Sequence, residues 1–140
     1  MTESAYLKSD RNTRQPAYTD LKINLDQHPL TGDLARSADA DAVKRAVRNL
    51  LLTGMYERRF RPYIGSGLQK YLFEPVTPVT AELIKQSIIT TITNFEPRAR
   101  LVAVRVKVDP DWNAYRASIK FSIVNIPGTV ALDEIIRRVR

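Results

Sequence analysis

The chain has 140 residues, of which 44% are hydrophobic, a length that supports one compact core and is short for two. It contains no cysteine, which excludes a disulfide framework, a thiolate metal site and a cysteine nucleophile. The formal net charge of +7 favours acidic partners in general, whether nucleic acid, lipid headgroups or an acidic protein surface, and selects none of them.

The N-terminal segment is polar and lacks hydrophobic periodicity. Residues 1–18 have no apolar core of the kind a signal sequence needs, and Pro16 interrupts them near their end, so we expect a flexible arm that orders only against a partner. No stretch approaches the roughly 18 consecutive apolar residues that a membrane span requires, and we expect no membrane partner. The remaining residues, 19–140, are expected to form a single domain.

Two regular elements are predicted before the middle of the chain. Residues 20–26 alternate apolar and polar side chains, which predicts a short strand. Residues 40–53 place apolar side chains on one face at helical spacing with basic side chains opposite, which predicts an amphipathic helix. Asp39 and Asp41 suit its N-cap and first turn, and Gly54 lies where the helix is expected to stop.

A segment rich in aromatic residues follows this helix. Proline and glycine interrupt it repeatedly, so we predict a structured loop with one short helix near residues 68–73. Ordering a long connection costs conformational entropy, which only contacts with the rest of the protein can offset. We therefore expect the rings to pack the loop onto the core. These rings are Tyr56, Phe60, Tyr63, Tyr71 and Phe73.

A second helix is predicted over residues 80–95, with Pro78 and Thr80 at its start. Its apolar residues form one stripe, but many are β-branched, so packing rather than intrinsic propensity has to stabilise it. We therefore expect this helix to lie against a sheet.

The sheet is predicted directly afterwards, as a hairpin of strands 101–109 and 114–125. Both strands alternate apolar side chains with basic or small polar ones, so the hairpin has one apolar face and one basic face. The predicted fold class is α+β: a small antiparallel sheet of two to four strands with both helices on its apolar face. The apolar face is expected to include Val102, Val104, Val106 and Val108.

The end of the chain is ambiguous. Within residues 129–140, Leu132, Ile135, Ile136 and Val139 have helical spacing. The same residues also fit a third strand in which Glu134 interrupts the apolar face. Both alternatives remain open from the sequence.

Few residues suggest catalysis. His28, the single histidine, lies in a predicted turn, and no phosphate-binding loop or nucleophile elbow is present. Several carboxylates could form a glycosidase-like acid and base pair, but carboxylates are common and the indication is weak. They are Glu57, Glu74, Glu82, Glu96 and Asp111. We predict no catalytic, metal or cofactor site and no small-molecule substrate.

The corner between the second helix and the hairpin is unusual. Pro97 ends the helix, but Glu96 places a carboxylate at the negative end of the helix dipole, which is unfavourable. Arg98 could pair with Glu96, and either side chain could instead make a two-point contact with a partner protein.

Spaced motifs across residues 40–125 resemble the baseplate wedge family that includes the sheath-initiator protein of contractile phage tails and its counterpart in type VI secretion baseplates. The first motif is R-x-F-x-P-x-x-G, and the last is the Glu96-Pro97-Arg98 corner. Between them lie L-x-x-x-L-F-E at residues 68–74 and T-P-x-T at residues 77–80.

The resemblance implies a structural protein of the tail baseplate, not an enzyme. It implies docking to the helical core bundle of the other wedge proteins, and a sheet to which strands of the first sheath subunits add. The residues carried over as protein-binding are Arg59, Phe60, Pro62, Gly65, Phe73, Glu74, Glu96, Pro97 and Arg98. The alternatives are a peptidoglycan-cleaving lysozyme-like enzyme and a nucleic-acid-binding module that uses the basic hairpin face.

Overall fold

The computed structural model describes residues 17–22, 24–29 and 32–137. In chain order these form β1 (Thr19–Leu21), β2 (Arg36–Ala38), α1 (Asp39–Leu52), α2 (Leu68–Tyr71), α3 (Pro78–Phe95), β3 (Ala99–Asp109), β4 (Ala114–Ile123) and β5 (Ile126–Arg137). The strands β1 and β2 pair with each other, while β3, β4 and β5 form a separate antiparallel sheet in that order. The predicted α+β class is confirmed.

The three-stranded sheet and the helices enclose one core. Every second residue of the central strand β4 faces the helices and is buried, including Tyr115, Ile119 and Phe121. α3 contributes Ile84, Ile88 and Ile92, and α1 contributes Val43 and Val47. Packing of this kind stabilises α3 despite its β-branched residues, as the sequence requires. No helix among the described residues is long and apolar enough to span a membrane.

The helix boundaries follow from their capping residues. α3 begins two residues earlier than predicted, because the Thr77 side chain accepts a hydrogen bond from the Thr80 N–H at 3.2 Å and Pro78 occupies the first turn. α1 begins at Asp39, with Ala38 as N-cap and no capping side chain, so the predicted N-cap role of Asp39 is wrong. Asp39 Oδ1 instead accepts the backbone N–H of Ala17 at 2.8 Å.

The N-terminal strand is shorter than predicted. β1 ends at Leu21, because the chain turns there: the Leu25 N–H donates to Lys22 O at 3.0 Å, and Leu25 has a φ of 55°, outside the range of a strand. The predicted arm, residues 1–18, lies outside the described residues except for Ala17 and Tyr18. Tyr18 packs against the core.

The predicted apolar face of the hairpin is wrong at Val102, because β3 contains a β-bulge there. The register between β3 and β4 shifts between Leu101 and Ala103, so Val102 is an extra residue in β3. Val102 is consequently exposed, and Leu101 takes its place among the residues packed on the core. The strict alternation that the sequence suggested therefore holds only from Val104 onwards.

The end of the chain is a strand. β5 pairs with β4 along its length, and Leu132 and Ile136 face the core. Glu134 faces the same side, and Arg48 of α1 pairs with it, with 3.1 Å between Arg48 Nε and Glu134 Oε2. This contact explains how a strand with an acidic residue on its inner face is tolerated.

Candidate docking surfaces

The Glu-Pro-Arg corner (residues 96–98) joins the end of α3 to β3. Glu96 is the C-cap of α3, and Arg98 neutralises its charge, with 2.6 Å between Arg98 Nε and Glu96 Oε1 and 2.8 Å between Arg98 Nη2 and Glu96 Oε2. This two-point contact is the geometry that arginine favours with a carboxylate. The carboxylate at the helix end is thus paired within the chain.

The two charged side chains are unequally accessible. The Glu96 side chain is 8% exposed and that of Arg98 is 37% exposed. The hydrogen bond to Glu96 raises the pKa of Arg98, and partial burial opposes this effect. A guanidinium has five N–H donors, and Glu96 receives two of those of Arg98. The parts of the corner that a partner can reach are therefore Pro97, which is exposed, and Arg98.

The N-terminal segment holds Arg98 in position. The guanidinium carbon of Arg98 lies 5.6 Å from the ring centre of Tyr18, and the Tyr18 hydroxyl donates to Val124 O at 3.1 Å. Sequence reasoning missed Tyr18, because it assigned the residue to the arm. The signal available was an aromatic residue two positions after Pro16, where the chain enters its first strand.

The aromatic loop (residues 54–66) is closed by backbone contacts. The Ser66 N–H donates to Thr53 O and the Tyr56 N–H to Pro62 O, each at 2.8 Å. At the base of the loop, a Cβ added to Gly65 would lie 2.5 Å from Gly54 O, which no side chain tolerates. Gly65 therefore sets the shape of the loop.

The side chains of the aromatic loop point outward. Phe60 is 98% exposed, and Tyr56 and Tyr63 are also exposed. The prediction that the rings pack the loop onto the core is wrong for these residues and for Phe73, and holds only for Tyr71. Backbone hydrogen bonds already order the loop, so the rings are not needed as anchors. Exposed aromatic and arginine side chains together are typical of protein interfaces.

The loop and the corner lie at the same end of α3. The ring of Tyr63 is 6.5 Å from that of Phe95, the residue before the corner. The predicted residues Arg59, Phe60 and Pro62 thus share a region with Glu96 and Arg98, and we call the two segments together the docking surface.

Phe73 and Glu74 lie elsewhere. Pro75, the next residue, accepts a hydrogen bond from the hydroxyl of Tyr115, at the end of β4 remote from the corner. The 18 residues of α3 span about 27 Å between the two ends. The structure therefore divides the predicted binding residues into two groups, one near each end of α3.

A second open surface runs along β5. On the helix side, two adjoining hollows border this strand, and we call them the β5 groove. The first, of about 570 Å³, lies between α1, the β1–β2 hairpin and β5, with cationic residues around it and Leu132 at its base. The second, of about 240 Å³, lies between α1, α2 and the end of β5. Leu52 lines both hollows.

The described residues include no group of three or more histidine, aspartate or glutamate side chains that could hold a metal ion. Among the carboxylates considered for acid and base roles, Glu96 is bound by Arg98. Hydrogen bonds from Lys85 and Gln86 lower the pKa of Glu82. A general acid acting near neutral pH needs a raised pKa, so Glu82 is unsuited to that role.

Comparison with known proteins agrees with the resemblance found in the sequence. Residues 37–127 match the model of the family described as baseplate wedge protein gp25. The baseplate wedge protein gp25 of Enterobacteria phage T4 is 31% identical over 98 residues, which cover 70% of this chain and 74% of the phage protein.

Solved structures show the same fold. A chain of the baseplate of the anti-feeding prophage is 29% identical, with a TM-score of 0.67 over 78% of this chain and 87% of that chain. A chain of the pyocin R2 baseplate after contraction is 26% identical, with a TM-score of 0.52 over 74% of this chain and 98% of that chain. A putative tail lysozyme from Geobacter sulfurreducens, 20% identical, has a TM-score of 0.69 over 74% of this chain and 95% of that chain, a similarity of fold alone. By its family match and its identity to the phage protein, the chain belongs to the baseplate wedge protein gp25 family.

Proposed function

We propose that this protein links the baseplate of a contractile tail to its sheath. It is a structural component of the tail baseplate, it docks to neighbouring wedge proteins through the docking surface, and it offers β5 to a strand of a first sheath subunit. Family membership supports the baseplate location. The observation that carries the sheath contact is the free outer edge of β5 above an open groove.

A free strand edge favours strand addition. Among the described residues, no strand pairs with the outer edge of β3 or of β5. Backbone N–H and C=O groups at such an edge can be completed by a strand from another chain, in a directional and repeatable contact. That property suits a protein on which a polymer begins.

The surroundings of the two edges favour β5 over β3 as the site of strand addition. α3 packs mainly against β3, whereas the β5 groove leaves open space on the helix side of β5. Side chains of an added strand alternate between the two faces of the sheet, so every second one would enter the groove. The groove offers Leu52 and Leu132 to apolar side chains and basic residues to acidic ones, and so favours a strand whose groove-facing residues include both types.

The docking surface supplies a different kind of contact. Phe60 and the other exposed rings provide apolar area, and Arg98 provides remaining N–H donors fixed by Glu96 and Tyr18. Aromatic and arginine side chains are among the types that dominate binding energy at protein interfaces. The docking surface and the β5 groove are separate, so the protein could bind a wedge partner and a sheath strand together.

The test uses one substitution in the groove and a matched control. Leu52→Lys places a charge between the two hollows, in the last turn of α1 where a cation suits the helix dipole, so the fold should be retained. Val79→Lys makes the same change at an exposed position of α3 outside the groove. We expect baseplates with Leu52→Lys to assemble but to start few sheaths in electron micrographs, and Val79→Lys to behave as the parent protein. Normal sheaths on Leu52→Lys baseplates would exclude the β5 groove as the strand site.

A further inference from the structure

The face of the sheet that points away from the helices is basic. It carries five exposed cations on β3 and β4, which we call the basic face: Arg100, Arg105, Lys107, Arg116 and Lys120. Small residues lie between them, so that Ala103 and Ser118 form the floor of an open hollow of about 310 Å³. This side of the sheet belongs neither to the docking surface nor to the β5 groove.

The charges of the basic face are largely unbalanced. Among the described residues, only Arg116 has an acidic partner there, with 3.2 Å between its Nη2 and Asp109 Oδ2. Lys107 stands directly opposite Arg116 in the sheet register. Like charges in opposite positions of neighbouring strands destabilise a sheet, so stability does not account for this arrangement.

The remainder of the chain does not supply the missing negative charge. Residues 1–16 and 138–140, which the structure does not describe, are both net basic. Residues 1–16 carry Glu3 and Asp10 against Lys8, Arg11 and Arg14, and residues 138–140 carry Arg138 and Arg140. A second copy of the chain brings the same net charge of +7. A different molecule with negative charge is therefore the complementary occupant.

The chemistry of the hollow favours a protein over a nucleic acid. No aromatic side chain lines it, so bases within the hollow have nothing on which to stack; the ring of Trp112 lines a separate hollow, where Arg137 lies over it. Asp133 also lies on this side of the sheet, where its Oδ1 accepts a hydrogen bond from Ser118 Oγ at 2.5 Å. A continuous phosphate backbone would meet this carboxylate and that of Asp109, whereas carboxylates spaced along a peptide can avoid both.

We propose that the basic face binds an acidic segment of another protein. Arg105 and Lys107 are two residues apart on one strand, so their side chains leave the sheet about 6.7 Å apart. Carboxylates at alternate positions of an extended segment have the same spacing. Lys120, diagonally across from Arg105, widens the contact to a second row of carboxylates.

The probes are a fluorescein-labelled peptide of glutamate residues and a labelled DNA duplex of similar charge, titrated with the full chain at physiological salt. The test variant is Arg105→Glu with Lys120→Glu. The control, Lys70→Glu with Lys85→Glu, makes the same charge change on α2 and α3, on the other side of the sheet. Thermal unfolding of both variants shows that each is folded.

We expect the parent chain to bind the glutamate peptide more tightly than the duplex. The face variant should weaken peptide binding by about tenfold or more, because like charges would face each other, while the control should change it by less than about twofold. The face variant should unfold close to the temperature of the parent, because the carboxylate at position 105 would gain Lys107 as a neighbour while that at position 120 would lie diagonal to Asp133. Equal losses in both variants would show that net charge alone attracts the peptide. Tighter binding of DNA that is lost in the face variant would assign the face to nucleic acid, and either result overturns the proposal.

Discussion

Removing Arg98 should cost more stability than removing its partner Glu96. The Glu96 carboxylate is almost buried, and the structure gives it two short hydrogen bonds, both from Arg98. Hydrogen bonds to charged groups contribute about 1.5 to 3 kcal/mol, and losing a partner leaves the buried group unsatisfied. Arg98 is more than a third exposed, so water replaces part of the contact, and we place the cost of Arg98→Ala at about 2 kcal/mol.

The reverse truncation leaves a different residue behind. Glu96→Ala leaves Arg98 without its carboxylate partner. Because Arg98 is exposed enough to be hydrated, this substitution should lower the free energy of unfolding by about 1 kcal/mol. The double variant should cost little more than Glu96→Ala, which gives a coupling energy of about 1.5 kcal/mol in a double-mutant cycle.

Urea unfolding and thermal unfolding, both followed by circular dichroism, measure the free energy of unfolding and the Tm of the parent, the two single variants and the double variant. For a chain of 140 residues, the loss in Arg98→Ala corresponds to a fall in Tm of about 7 °C. If the two single substitutions cost the same and add within about 0.5 kcal/mol, the pair does not hold the corner and the reasoning is refuted.

Three further substitutions test other parts of the structure. Gly65→Ala should destabilise the chain by about 2 kcal/mol or more, because its Cβ would meet Gly54 O at 2.5 Å; a Tm equal to that of the parent would show that the loop closes differently. Phe60→Ser should change the free energy of unfolding by less than about 0.5 kcal/mol, because the ring is 98% exposed, yet abolish incorporation into baseplates. Normal incorporation would remove Phe60 from the docking surface. Arg48→Met should cost about 1 kcal/mol in urea unfolding by leaving Glu134 without its cation, and Arg48→Met in a Glu134→Gln background should cost clearly less. Equal costs in both backgrounds would rule out the ion pair as a support for β5.

Hydrophobic periodicity alone predicted the positions of the larger helices and strands. Apolar spacing located α1 and α3 to within a few residues, and alternation located the β3–β4 hairpin. The sequence also pointed to the corner at Glu96, because a carboxylate at the end of a helix is locally unfavourable and needs an explanation.

What the sequence missed depends on contacts between distant residues. The strand β5 could not be separated from a helix, because Arg48, 86 residues away, satisfies Glu134. The bulge at Val102 changes which valines face the core, yet the alternation around it looks regular. The outward aromatic rings were also mispredicted, because closure of the loop by backbone hydrogen bonds leaves no trace in residue types.

A density map of an assembled baseplate carrying its first ring of sheath subunits would test the central proposal most directly. We predict a strand of a sheath subunit hydrogen-bonded along the outer edge of β5, with every second side chain in the β5 groove, and Phe60 and Arg98 covered by a neighbouring baseplate protein. A map in which residues of this chain itself occupy that edge, or in which the edge and the docking surface both face solvent, would contradict the account.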